Sequence, residues 1–279
     1  MTLTLTRSKP KLKAPPATAS QVITVYGPRG STGKTSVALN LAFEFAELGK
    51  RTLLIDLDTQ APAIAQLLGL TNPTAAILGC ARLIRQGRFN LEQLERLSVK
   101  VSSRSASFRV LTGLTSWSRW GELSEDSITQ LLTFARLDFE VIVIDVASDL
   151  DHTLNAANQV GSRNVAARCA LQKSDYCLTL IHATEVSLSR YLNAFNELQE
   201  LQKNRFLVLN RSETKPKIAN VLRSLTKETI FAAIPDDQPS FELGETEHLP
   251  LALARRKSPA RNAIALIAHK LLECPPSAS

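Results

Sequence analysis

The sequence is poor in sulfur and in aromatic residues, and it lacks any long apolar run. Its 279 residues include four cysteines, one methionine, ten phenylalanines, three tyrosines and two tryptophans. Cys80, Cys169, Cys177 and Cys274 form no Cys-x-x-Cys pair and no metal-ligand spacing, so a zinc ribbon is excluded and reduced thiols are expected. No stretch approaches the roughly 18 apolar residues of a membrane-spanning helix. No apolar run follows the basic N-terminal residues, as a secretory leader would require. These absences lead to the expectation of a cytoplasmic protein.

What is present is an ordinary soluble composition, 44% hydrophobic and 21% charged, with enough apolar side chains for the core of one α/β domain. The net charge is +7. Arg7, Lys9, Lys11 and Lys13 fall in a stretch over 1–20 that holds no acid and is rich in Thr, Ser and Pro. It reads as a flexible basic arm, followed by a domain over 21–274 and a disordered tail over 275–279. Arg255-Arg256-Lys257, with Arg261, makes a second basic cluster. Either cluster suits nonspecific contact with DNA phosphates or an acidic partner, and equally a solvated surface. The last residues, Glu273-Cys274-Pro275-Pro276, cannot form an amphipathic membrane helix, so direct membrane insertion is not expected.

From Gln21 onward, short apolar runs alternate with helical patterns. Strands are predicted at 22–26, 53–56, 108–112, 141–145, 177–181, 206–209 and 229–233. Helices are predicted at 35–48, 62–69, 74–86, 91–97, 125–137, 186–201, 215–226, 238–245 and 259–273. The segment over 149–173 resists assignment apart from a helix beginning near 163. Continuously apolar strands separated by helices imply a three-layer α/β fold: a mostly parallel, twisted sheet with helices on both faces. Ligands of such sheets bind where the strands end. A glycine-rich loop, Asp56, Asp145 and Asn210 all fall at predicted strand ends.

The loop is Gly27-Pro28-Arg29-Gly30-Ser31-Thr32-Gly33-Lys34-Thr35. It follows a strand and opens a helix, the setting in which backbone N–H groups curl around phosphate oxygens and the helix dipole adds to the attraction. Gly30, Ser31, Thr32, Gly33, Lys34, Thr35 and Ser36 are the expected phosphate-binding stretch. Lys34 is placed to reach the β- and γ-phosphates, and the Thr35 hydroxyl to ligate Mg²⁺.

This loop resembles the deviant Walker A motif of the ParA/MinD family of P-loop ATPases, Lys-Gly-Gly-x-Gly-Lys-Thr. Aligned on Gly33-Lys34-Thr35, the family's first lysine falls on Arg29 and its second glycine on Ser31, where a β-carbon crowds the loop. Leu53-Leu54-Ile55-Asp56-Leu57-Asp58-Thr59-Gln60 is similar to the family's switch I, with Thr59 in place of proline. Val141-Ile142-Val143-Ile144-Asp145 is similar to its Walker B strand, although Val146-Ala147-Ser148 replaces the usual Pro-rich turn. Asn210-Arg211 and the turn at Ile234-Pro235 resemble the adenine-binding edge.

By that resemblance the cofactors are ATP and Mg²⁺. Asp58 orients the attacking water, Thr35, Asp56 and Asp145 serve the metal, and Arg29 reaches a partner's phosphates across an ATP-dependent homodimer. Asn210, Arg211 and Pro235 line the base. Two roles follow. One is a slowly hydrolysing switch, answering to an unidentified activating protein, that positions DNA, a division site or a cell-surface assembly. The other is a localisation scaffold like the pilus proteins CpaE and TadZ, suggested also by Leu111-Thr112-Gly113-Leu114, in which ATP is bound with little turnover.

Overall fold

The computed structural model describes residues 3–6, 20–151, 163–212 and 216–275. Its strands are β1 (Thr4–Thr6), β2 (Gln21–Tyr26), β3 (Thr52–Leu57), β4 (Val99–Ser102), β5 (Ser107–Leu111), β6 (Val141–Val146), β7 (Tyr176–His182), β8 (Arg205–Asn210) and β9 (Ile230–Ala233). Its helices are α1 (Lys34–Glu47), α2 (Ile64–Leu67), α3 (Ala76–Arg85), α4 (Leu91–Leu97), α5 (Glu125–Asp138), α6 (Val165–Lys173), α7 (Glu185–Leu201), α8 (Pro216–Thr226), α9 (Gln238–Glu247), α10 (Leu251–Ala254) and α11 (Pro259–Glu273).

The strands form one sheet in the order β1-β4-β5-β3-β6-β2-β7-β8-β9. Every pairing from β5 to β9 is parallel, and β1 and β4 add an antiparallel margin. Every residue of β2, β3 and β6 is buried. The sheet has helices over both faces, which is why these strands read as unbroken apolar runs rather than alternating ones. Side chains of α1, α2, α10 and α11 share a core with Ile23, Val25, Leu54 and Val143. Those of α3, α5, α6 and α7 share the opposite core with Val22, Leu53, Ile142 and Ile144.

Helix α1 is buried along ten consecutive residues, Val37 to Ala46. Its two polar members each have a partner. Asn40 accepts a hydrogen bond from the Leu251 N–H (2.7 Å), and Glu44 receives Arg261 at 2.7 and 2.9 Å. Burial still pushes the Glu44 carboxyl up, against the pull of that guanidinium. Residues of α1 and α11 share one apolar core, and the pair anchors the helix that carries Lys34 and Thr35.

Two expectations change. Part of the arm over 1–20 is not free chain, because Thr4–Thr6 pairs with Lys100–Ser102 at the sheet margin. The remainder of the arm over 7–19, with its four cations, lies outside the described residues. So does 276–279, within the tail, and 152–162, within the unassigned segment. Arg261 also leaves the basic cluster, since it is engaged with Glu44, while Arg255, Arg256 and Lys257 are exposed. The hairpin strand β4 went unpredicted because Val99-Lys100-Val101-Ser102 is short and follows a helix without a break.

Candidate functional site

The centre of the sheet runs β3-β6-β2-β7-β8. Its C-terminal edge therefore presents, side by side, Asp56, Asp145, the glycine loop, His182 and Asn210. Strand register makes the first contact direct, because Asp56 and Asp145 are cross-strand neighbours. Both carboxylates are almost fully buried. Burial, followed by mutual repulsion, raises Asp56 well above the usual carboxylate range. Burial raises Asp145 to about 7, although Lys34 and the Thr35 hydroxyl pull it down. A cation between these two buried neighbours would favour their ionised forms.

The loop closes as the sequence requires. Gly33 caps α1 in a left-handed conformation, φ 81°, and the Asn210 amide lies 2.5 Å from where its β-carbon would stand. That amide donates to the Thr32 carbonyl at 2.7 Å. Only glycine satisfies both the dihedral angle and the space. Ser31 is exposed with φ 54°. A left-handed serine carries a backbone cost that glycine does not.

Lys34 and Thr35, in the first turn of α1, point back toward the strand ends. The Thr35 hydroxyl donates to Asp145 Oδ2 at 2.6 Å. Asp145 Oδ1 is buried with no hydrogen-bond partner among the described residues. Lys34 Nζ stands 3.7 Å from Asp58 Oδ2. The other Asp58 oxygen accepts the N–H groups of Gln60 and Ala61, each at 2.9 Å, which fixes the carboxylate and leaves Oδ2 toward the lysine. Asp56 accepts from the N–H groups of Asp58 and Ile64, both at 3.2 Å. Gly113 lets the segment after β5 close on it, since a β-carbon there would lie 2.8 Å from the Asp56 carboxyl carbon.

These residues fit Mg²⁺. Among the described residues no three His, Cys, Asp or Glu side chains form a metal cage. A hydroxyl beside an unpartnered carboxylate oxygen suits a hard cation that keeps several waters and completes its shell with phosphate.

At the other end, Ser212 N–H donates to the Ile234 carbonyl (2.9 Å), and Ile234 N–H to Leu209 (2.8 Å). This brings Asn210, Arg211 and half-buried Pro235 together at the edge assigned to the base. Arg211 is exposed, with φ 51° and its N–H on Asn210 Oδ1 (3.0 Å). Asn210 Nδ2 is turned to the loop.

Three participants were missed. His182, at the end of β7, has its Nε2 buried without a partner; burial, then the Arg211 charge, lowers its pKa and keeps the ring neutral. Arg190, on α7, donates to the Arg29 carbonyl at 3.1 Å. Asp149 forms an ion pair with the Arg29 side chain. Asp149 was the one with a signal, an acid four residues beyond a strand-ending Asp. The other two depend on how β7 and α7 pack beside the loop.

Comparison with known proteins bears on the family and the fold. The model of the CobQ/CobB/MinD/ParA nucleotide binding domain matches residues 23–251. A ParA family ATPase from Chlorobium tepidum superposes with a TM-score of 0.75 at 16% identity, over 91% of this chain and 99% of that one. The septum site-determining protein MinD of Pyrococcus horikoshii, solved with Mg-ADP, superposes with a TM-score of 0.68 at 18% identity, over 90% and 96%. The antiactivator FleN of Pseudomonas aeruginosa is 49% identical over 51 residues, a match covering only 18% of either chain.

Proposed function

The chain belongs to the CobQ/CobB/MinD/ParA family of nucleotide-binding domains, and from that premise we propose that it is an ATP-switched dimer that hydrolyses ATP slowly. The observation that carries this reading is the meeting of Lys34, Thr35, Asp58 and Asp145 at neighbouring strand ends. Gly30 through Ser36 cradle the phosphates with backbone N–H groups, and Lys34 exchanges Asp58 for phosphate oxygen. Thr35 and Asp145 are the residues that would hold Mg²⁺, with Asp56 behind them. The chemistry the metal supplies is neutralisation of phosphate charge.

Hydrolysis of a phosphoanhydride asks for positioning more than covalent chemistry. Asp58 is built for positioning: one oxygen is clamped by two backbone N–H groups, and the other, paired with Lys34, is left to orient water once that lysine turns to phosphate. Arg29, exposed at the loop's rim, acts on the partner's phosphates. Asn210, Arg211 and Pro235 form the base edge; the Asn210 amide, expected to meet adenine, instead donates to the Thr32 carbonyl and accepts the Arg211 N–H, so it shapes that edge from within the protein.

The cellular output we infer is placement of DNA, a division site or a surface assembly, with Arg255, Arg256 and Lys257 as the exposed cations available to an acidic surface. Asp237, in the turn after Pro235, accepts a hydrogen bond from the Ser258 hydroxyl, so these cations lie near the base edge and a nucleotide there can influence them. No helix among the described residues is long and apolar enough to cross a membrane.

The test is ATP turnover with and without DNA, with oligomer mass recorded, on wild type and Asp58→Ala. The expected result is slow turnover that Asp58→Ala abolishes while dimer accumulates. A chain that binds no nucleotide in millimolar Mg²⁺ sinks the reading. A second reading, the CpaE/TadZ-like scaffold, is favoured by Val146-Ala147-Ser148 beside Asp145 and by the Arg29–Asp149 pair. It predicts ATP binding with turnover no greater than that of Lys34→Ala.

A further inference from the structure

We propose that Asp149 is a positioning residue for Arg29: it holds the guanidinium on its own subunit, and a triphosphate presented by a second copy must displace it. The inference rests on the dimer reading above and adds to it a residue that sets when the dimer forms.

Three contacts define the arrangement. The Arg29 guanidinium pairs with Asp149 Oδ2; the arginine side chain is 72% exposed and the aspartate side chain 23%. Asp149 is held in turn, because its Oδ1 accepts the Asp151 N–H at 3.3 Å and the preceding carbonyl, of Ser148, accepts the hydroxyl of buried Tyr26 at 3.1 Å. Tyr26 ends β2, the strand that feeds the glycine loop, so the carboxylate is fixed relative to the loop it restrains. Arg190 secures the backbone by donating to the Arg29 carbonyl. The loop's main chain is thereby pinned and the Arg29 side chain is the part free to swing.

A guanidinium fork matches a carboxylate and a phosphate by the same geometry, and it grips one of them at a time. Asp149 therefore occupies Arg29 with a phosphate mimic from its own chain. The magnitude decides what kind of device this is. An exposed ion pair is weak and a triphosphate carries several charges, so Asp149 delays capture without preventing it. Its position adds a link. Asp149 lies four residues beyond Asp145 on the same departing chain, so filling the chain's own site bears on the segment that holds Arg29.

The experiment is analytical ultracentrifugation of the full chain with Mg²⁺ and a non-hydrolysable ATP analogue, on wild type, Asp149→Asn, Arg29→Ala and the double variant. Calorimetry of analogue binding is run on each. Asp149→Asn is expected to lower the concentration for half-dimerisation about two- to fivefold, the factor an exposed pair is worth. The same substitution in the Arg29→Ala background is expected to change nothing. No shift in Asp149→Asn, or an equal shift in both backgrounds, overturns the proposal, the latter by showing a merely structural role for Asp149. If wild type binds the analogue yet stays monomeric with every variant, the dimer reading itself fails and this inference goes with it.

Discussion

The nucleotide site has a floor and a rim, and they are built differently. The floor comprises Lys34, Thr35, Asp56, Asp58 and Asp145, set on α1, β3 and β6 or just beyond; its three carboxylates are nearly excluded from water. The rim comprises Arg29, Ser31, Asp149 and Arg211, most of them exposed and two at positive φ. Both departures from the family's phosphate-loop motif, Arg29 and Ser31, fall in the exposed rim, whereas of the three that replace the Walker B turn, Val146 and Ala147 are buried. The difference teaches where each task resides. Gathering phosphate and metal needs groups held to fractions of an ångström by packed elements. Communicating with a second molecule needs groups that water and a partner can both reach.

Substitutions that strike the floor should therefore outweigh those at the rim, and the order of effects tests the division. Lys34→Ala is expected to weaken ATP binding most, by about 1.5–3 kcal/mol for a lost charge-assisted contact, read by calorimetry. A comparable loss from Arg211→Ala would erase the distinction.

Asp145→Asn should separate function from stability. It removes a buried charge, so Tm without metal is expected to rise, while the stabilisation conferred by Mg²⁺ with nucleotide disappears. Differential scanning fluorimetry reads both.

The same carboxylate gives a pH dependence. Its folded pKa, about 7, lies above the ordinary 3.8, so the metal-free fold gains from the protonated form. That gain is complete below about pH 4 and is lost as pH rises through 7. Metal binding needs the ionised form. Mg²⁺-nucleotide should thus raise Tm more at pH 8 than at pH 6; an equal rise at both would place the metal elsewhere.

Rim changes should be small. Ser31→Gly relieves a left-handed serine and is expected to stabilise the fold by at most about 1 kcal/mol, partly offset by the greater freedom of glycine in the unfolded chain. Replacing Arg255, Arg256 and Lys257 together by Ala should leave stability within about 0.5 kcal/mol. If this surface meets DNA, the same triple change should flatten the salt dependence of binding, a slope of about 0.9 per phosphate contact.

Much of this molecule was written in local patterns. The runs 22–26, 53–56 and 141–145 announced strands buried on both faces because a parallel sheet covered by helices admits only apolar residues in its interior. Gly33-Lys34-Thr35 announced a tight turn from strand to helix, since left-handed Gly33 leaves no room for a side chain. The placement of Asp56, Asp58 and Asp145 at the ends of β3 and β6 was legible because each apolar run stops at a charge.

Pairings across the chain were not legible. That Arg261 serves Glu44, that Arg29 rests on Asp149, and that Asn210 holds the loop through Thr32 depend on side chains meeting over separations of 217, 120 and 178 residues. Thr4–Thr6 joined the sheet because β4 offered an open edge, and nothing in those three residues demanded it. The sequence by itself determined the strand interiors and the loop's backbone path, since local sterics and solvent exclusion act residue by residue. The tertiary structure alone decided which charges meet, because ion pairing depends on distances that the chain's own order does not set.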